Sequence, residues 1–281
     1  LKKLIRKVRK RKYNWNVAYQ FSEKWNDITL WRSKTIPNPK NGFLADPFII
    51  KKFEKHFCFL ESYNYKESKG NISVYEICDK GSKFIGTALN EEFHLSYPFL
   101  FEYKDELYMC PETHQNNDIR IYKCQSFPLD WRLHKIIMNN VNAAETNIFF
   151  KNSKWWLMTN ISPKNYNDHD TQLHIFYSDN PLTDNWKKHE LNPVIFDPLK
   201  ARGGGMILFE NEIFRVHQEH GFDMYGKSLG VSKITKICTK TFEEKKIFDI
   251  KPNFFNGAKG THTFNFNEGL VVFDYVKISN Q

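Results

Sequence analysis

Short apolar runs, each bounded by Lys, Asn, Asp, Glu or Gly, recur along the whole chain. Runs of this length between turn residues predict β-strands rather than helices. Five of them open alike, with a small or polar cluster leading into an apolar stretch: ADPFII (45–50), SYPFLF (96–101), ETNIFF (145–150), RGGGMILF (202–209) and GTHTFNF (260–266). Aligning Asp46, Tyr97, Glu145, Arg202 and His262 gives intervals of 51, 48, 57 and 60 residues. A second strand follows each: HFCFLES (56–62), ELYMCPE (106–112), KWWLMTN (154–160), EIFRVHQ (212–218) and EGLVVFD (268–274). Third strands are expected at 71–77, 118–124, 171–178 and 227–234, and more polar fourth strands at 83–89, 130–138, 185–194 and 240–248.

Four strands per repeat at this period predict an all-β, five-bladed β-propeller with four-stranded blades. The fifth repeat stops after two strands. WNVAYQF (15–21) and DITLWRS (27–33), near the start of the chain, are free to complete it, closing the ring and removing exposed sheet edges. The expected organisation is a basic tail over 1–12 and one propeller domain over 13–281. A large β-sandwich with coincidental spacing is the alternative.

Composition agrees with a folded β protein. Aromatic residues make up 16% of 281, charged residues 26%, and the mean hydropathy is −0.60. These values exclude disordered, collagenous and integral helical membrane classes. Five cysteines (Cys58, Cys78, Cys110, Cys124 and Cys238) are odd in number and lack CxxC spacing. They argue against a disulfide framework or zinc site and for a reducing compartment. The net charge of +9 is concentrated: eight Lys and Arg lie in the first 12 residues, and without them +1 remains. Leu1, Leu4, Ile5 and Val8 there share one helical face, which suits an anionic membrane surface. Cytoplasmic location at the inner membrane is expected. The neutral body gives no basis for nucleic-acid binding.

The first strand of a propeller blade lines the central axis. Asp46, Tyr97, Glu145, Arg202 and His262 are therefore expected at the mouth of a central channel, where two carboxylates, a cation, an imidazole and a phenol must pair or do chemistry. Glu61, Glu112, His114, Gln115, His217, Gln218, Glu219, His220 and Tyr225 end second strands or sit nearby. The glycines of RGGG (202–205) allow close approach of backbone to a ligand. With Arg202, Arg215 and Lys259 in phase they suggest a phosphate-binding corner, against tight packing near the axis. HExxH, GxSxG and Rossmann fingerprints are lacking.

A five-bladed propeller with a carboxylate opening blades one and three resembles glycoside hydrolase family 43. The resemblance implies Asp46 as general base, Glu145 as general acid, and Arg202 and His262 as central residues. It departs at blade two, where SYPF offers Tyr97 instead of the Asp that tunes the acid. The ordered series ADPF, HLSYPFLF, YMCPET, IYKC, WWLM, NPV and HQEHGFDMYG, spread over roughly 27–275, more closely resembles the propeller domain of the glucosamine inositolphosphorylceramide transferase N-terminal family. That resemblance implies sugar transfer to a glycan or glycolipid, in bacteria within surface-polysaccharide synthesis. The expected function is a glycosyltransferase moving a furanose-type sugar, including phosphoribosyl from phosphoribosyl diphosphate, onto a lipid-linked glycan. Asp46 would deprotonate the acceptor, and Arg202, with His262 or Lys259, would stabilise the leaving group. Glu145 would share the base role or bind sugar hydroxyls. Tyr97, Glu112, His114, Arg215, His217, Gln218 and Tyr225 are the remaining substrate-binding candidates. No resident metal is expected, although a diphosphate donor would bring Mg²⁺ to Asp46, Glu112 or Glu145. A family-43-like hydrolase and a non-catalytic carbohydrate-binding propeller are the alternatives.

Overall fold

A computed structural model describes residues 11–163, 166–221 and 224–280. The chain forms five antiparallel sheets, the blades of a β-propeller. Blade one comprises Gly42–Lys52, Lys55–Asn64, Lys69–Cys78 and Gly81–Leu89. Blade two comprises Ser96–Tyr103, Glu106–Glu112, Asp118–Ser126 and Asp130–Asn139. Blade three has Ala143–Lys151, Lys154–Ile161 and Gln172–Ser178, with an outer edge reduced to Lys187–Lys188 and Ile195–Phe196. Blade four has Gly203–Phe209, Glu212–Gly221, Met224–Cys238 and Thr241–Ile250.

Blade five closes the ring with both ends of the chain. Its inner strand is split into Ala258–Gly260 and Phe264–Asn267, and Leu270–Asn280 follows. Arg11–Phe21 pairs with Leu270–Asn280 from Arg11↔Asn280 to Phe21↔Leu270, and Lys34–Ile36 forms the outer edge. The second closing strand expected at 27–33 is therefore displaced: Leu30–Arg32 is a 3₁₀ turn. Ile28 and Leu30 of that segment pack from the side against a cluster that includes the preceding Trp25, which lies on Phe214 and Phe248 at 4.8 and 5.3 Å between ring centroids. The tail expected over 1–12 lies outside the described residues up to residue 10, and Arg11 already opens a strand.

The repeat is visible in the backbone. Phe53–Glu54, Lys104–Asp105, Asn152–Ser153, Glu210–Asn211 and Glu268–Gly269, the two-residue links from first to second strands, all have positive φ. Two left-handed residues make the tight hairpin turn whose twist matches the strands it joins. Strands are apolar on both faces because both are covered. Phe57 and Phe59 face blade two, whereas Cys58 and Leu60, alternating with them, face blade five. Trp156 is buried between blades, and its indole N–H donates to the Lys151 carbonyl. All five cysteines are free thiols.

Candidate active site

The first strands of blades one to three share one irregularity. Their register with the second strand skips between Ala45 and Phe48, Ser96 and Phe99, and Ala144 and Asn147. The residues inside these bulges, Asp46, Tyr97 and Glu145, have φ of 48°, 45° and 53°. Left-handed backbone at a non-glycine costs about 1–3 kcal/mol and persists where surroundings impose it, frequently at functional sites. In blade four the skip falls between Gly203 and Gly205. Arg202 receives the Gln218 N–H on its carbonyl, as Ala45 lies opposite Glu61. Arg202 thus stands one residue before the position of Asp46, not at it, and a glycine occupies the bulge.

The bulges surround a cavity of about 220 Å³ at the axis, lined by Asp46, Glu61, Glu112, Glu145, Arg202, His262, His94, Ser96 and an aromatic side of Trp15, Phe43, Tyr63 and Tyr225. Asp46 Oδ1 accepts the Thr263 hydroxyl at 2.7 Å. Burial raises the Asp46 pKa, the nearby His262 charge opposing this. Glu145 Oε1 accepts from Arg202 Nε and Nη2 at 3.1 and 3.0 Å and from Gln218 Nε2 at 3.3 Å. Its Oε2 is buried without a partner. Burial pushes the Glu145 pKa well up, against the opposing charge of Arg202. Glu112 behaves oppositely. Burial alone would raise it, but the His114 Nδ1 hydrogen bond at 2.7 Å and the charges of His114, Arg202 and His169 hold it at about 2. Its Oε2 also accepts the Glu145 backbone N–H at 3.2 Å.

His262 lies flat on Trp15, 3.7 Å between centroids, and its Nδ1 meets Asp274 Oδ2 at 2.5 Å. Burial lowers its pKa, but the charges of Asp274 and Asp46 outweigh this and raise it overall. Asp274 also accepts backbone N–H groups from His262, Thr263 and Asp46 at 2.9, 3.0 and 3.1 Å. Asp46, His262 and Asp274 are close enough to hold a cation. The Asp274 oxygens are already occupied by those four N–H groups, so the triad is better read as a hydrogen-bonded clamp. Asp46, Glu112 and Glu145, the oxygen ligands expected for Mg²⁺, line the cavity but do not form a second such cluster among the described residues.

Several expected site residues lie elsewhere. Arg215 and His217 alternate with Gln218 on one strand and so face the other side of the sheet. Arg215 makes a bidentate pair with Glu244 at 2.7 and 2.6 Å, and His217 sits by Ser232 with a pKa lowered by burial to about 2. Lys259 is exposed on the split inner strand of blade five and does not line the cavity. Tyr97 is fully buried, donating its hydroxyl to Asn147 at 3.1 Å and packing on Phe48. His114 reaches the cavity only through Glu112. The glycines of the fourth inner strand serve close packing: an added Cβ would lie 2.9 Å from Glu145 Cβ at Gly203, 2.7 Å from the His262 carbonyl at Gly204 and 2.3 Å from the Phe264 carbonyl at Gly205. Arg202 is fully engaged, with Asp170 at 2.8 Å in addition to Glu145 and with the Tyr225 ring at 4.8 Å. The expected phosphate corner is thus a packed arginine–carboxylate junction. His94 and Trp15 line the cavity, and Asp274 and Asp170 support it through His262, Asp46 and Arg202; sequence reasoning misses all four. The signal for Asp274 was available, because Glu61, Glu112, Asn160, Gln218 and Asp274 each end a second strand with a buried polar residue.

The five-bladed propeller fold is shared with glycoside hydrolase structures. A thermostable family-43 glycoside hydrolase superposes with a TM-score of 0.65 at 14% identity, over 87% of this chain and 91% of that one. A family 117 glycoside hydrolase from Zobellia galactanivorans gives 0.59 at 11%, over 93% and 90%. An α-L-arabinofuranosidase from Lactobacillus brevis gives 0.57 at 14%, over 86% and 92%. At such identities the likeness is one of fold. The sequence is more particular: residues 13–271 match the family described as glucosamine inositolphosphorylceramide transferase 1, N-terminal, and the chain belongs to that family. It is 32% identical over 230 residues to glucosamine inositolphosphorylceramide transferase 1 of Oryza sativa subsp. japonica, covering 80% of this chain and 30% of that protein. The Arabidopsis thaliana protein is 31% identical over 248 residues, covering 84% and 32%. The chain spans about a third of the length of these relatives.

Proposed function

We propose that the axial cavity is a glycosyl-transfer site acting in glycolipid or glycan synthesis. The observation that carries this is the placement of Asp46 and Glu145 at one bulge position in blades one and three, both lining a partly open acidic cavity. Asp46 is the base that takes the acceptor hydroxyl proton. Its raised pKa brings it towards the range where a base works best at neutral pH. Glu145, with Oε2 unpartnered, donates a proton to the departing group. Arg202 acts through Glu145 by holding its other oxygen. The cavity has room for a single monosaccharide, and a furanose-type group, including phosphoribosyl, is the donor we favour. The glycolipid acceptor is carried over from the names of the relatives. The basic residues 1–12 would hold the protein at an anionic membrane on the cytoplasmic side.

Hydrolysis is the second reading, and one observation favours it. Tyr97 supplies no carboxylate, but Glu112 from the same blade bonds the Glu145 backbone and remains ionised beside it. Blade two thus offers from its second strand the pKa-tuning carboxylate that its first strand lacks. Incubation with a panel of sugar nucleotides and phosphoribosyl diphosphate, with synthetic lipid-linked acceptors, separates the readings. Glycosylated acceptor supports transfer. Release of free sugar from aryl furanosides, with no acceptor product, would replace transfer by hydrolysis.

A further inference from the structure

Of the five buried polar residues at this place on the second strands, three serve the ring in one way, while Gln218 donates Nε2 to the Gly203 carbonyl and leaves Oε1 without a partner. Asp274, Glu112 and Asn160 each accept a backbone N–H from the bulge of the next blade, from Asp46 at 3.1 Å, Glu145 at 3.2 Å and Gly203 at 2.9 Å. Glu61 has the same place in blade one, opposite Ala45 as Glu112 is opposite Ser96. Yet among the described residues its carboxyl receives no such bond. Its nearest polar partner is His94 Nε2, 3.6 Å from Oε1, beyond hydrogen-bond reach. The Glu61 side chain is only 8% exposed and lines the cavity.

The gap is held open by its neighbours. His94 Nδ1 accepts the Gly70 N–H at 2.9 Å, so in the neutral ring the proton is on Nε2 and faces Glu61. Burial lowers the His94 pKa and favours that neutral form. Gly70 fits only without a side chain, since a Cβ there would lie 2.9 Å from Glu61 Oε1, 2.8 Å from His94 Cε1 and 2.6 Å from the Leu95 carbonyl. By contrast the Glu112–His114 pair of blade two is closed at 2.7 Å, so that carboxyl is satisfied internally and the Glu61 carboxyl is not.

We propose that Glu61 and His94 grip one ring hydroxyl of the glycosyl group in the cavity. The His94 Nε2–H donates to the hydroxyl oxygen, and the hydroxyl hydrogen is donated to Glu61 Oε1. A hydroxyl oxygen on the cavity side of the pair, at the apex of a triangle whose base is the 3.6 Å separation, can lie about 2.8 Å from both atoms. Burial, reinforced by the charges of Asp46, Glu112, Asp274 and Glu145, pushes the Glu61 pKa well up. The assignment rests on the transfer reading only in taking the ligand to be a sugar.

The test is binding without turnover: saturation-transfer NMR titration of the full chain with D-ribose, L-arabinose, D-xylose and D-glucosamine. The sugar that binds the wild type should bind Glu61→Ala about tenfold or more weakly, the loss of one well-made hydrogen bond to a buried group. Glu61→Gln, which keeps a donor and an acceptor, should stay within about threefold. If Glu61→Ala does not fold, Glu61→Asp, which retracts the carboxyl by one methylene, should show the same loss. A structural role would instead lower the melting temperature and leave affinity of the folded protein unchanged. Equal affinity in the wild type and the Ala or Asp variant, or no binding of any of the four sugars to the wild type, overturns the proposal. Failure of the transfer reading shows separately, as absence of turnover with every donor while sugar binding still depends on Glu61.

Discussion

Asp274→Asn is the most informative single perturbation of the ring. The aspartate closes the propeller where its two ends meet: its carboxylate takes backbone N–H groups from His262 and Thr263 on Oδ1, and from Asp46 together with His262 Nδ1 on Oδ2. Asparagine has the same shape but replaces one oxygen by an amino group. In either orientation two of the four donors then face another donor. Each buried donor left without an acceptor costs about 1–3 kcal/mol, so the change should destabilise by about 2–6 kcal/mol. At roughly 2–4 °C per kcal/mol for a domain of this size, the melting temperature should fall by roughly 5–20 °C. The pH dependence has a definite sign. His262 has its pKa raised in the fold, so its contribution is present below the ordinary histidine pKa and is lost as pH rises through the folded value. The gap between wild type and variant should therefore be widest near pH 6 and narrow towards pH 9. Thermal melts followed by near-ultraviolet circular dichroism across that range supply both numbers. A melting temperature within about 2 °C of wild type at pH 6 would show that Asp274 does not clamp Asp46 and His262, and the account of the left-handed Asp46 backbone would fall with it.

Arg202→Ala removes the cation from a buried junction with Glu145 and Asp170. It should lower stability by about 3–5 kcal/mol in guanidinium titrations, whereas a normal midpoint would return the arginine to a free, ligand-binding role. The pH–rate profile should be bell-shaped. Asp46 must be ionised and its pKa is raised, so the acidic limb should lie above the ordinary aspartate value, and a limb at about pH 4 would exclude it as the base. The alkaline limb should follow loss of the Glu145 proton and move in Glu145→Gln. Deleting residues 1–10 removes six of the basic residues and should release the protein from vesicles of anionic lipid while leaving turnover on a soluble acceptor unchanged; equal vesicle binding would refute the anchor.

The blade order was legible in the sequence because each first and second strand is apolar on both faces and is broken by the same two-residue turn. Where an edge does not need a full strand, that signal disappears. In 185–194, Asn192 bonds both the N–H and the carbonyl of Ile175 with its side-chain amide, at 2.8 and 2.7 Å, in place of a backbone ladder. In 27–33, apolar residues pack sideways on blade four and so imitate a strand. Asp46, Glu145 and His262 could be placed at the axis from repeat phase alone. Arg215 and His217 could not be excluded without knowing which face of the strand Gln218 takes, since a slip of one residue reverses the faces. Arg202 illustrates a subtler limit. It lines the cavity from one residue before the repeat position, and only the geometry shows its guanidinium spent on Glu145 and Asp170.

The central claim is that Asp46 acts as the base of a transfer reaction in the axial cavity. The most direct measurement compares acceptor glycosylation by wild type and Asp46→Asn across the donor panel, with melting temperature recorded for both. A general base contributes about 10²–10⁴-fold, so the variant should fold normally and lose product formation by at least a hundredfold. Product formed within threefold of wild type by a normally folded Asp46→Asn protein would contradict the account.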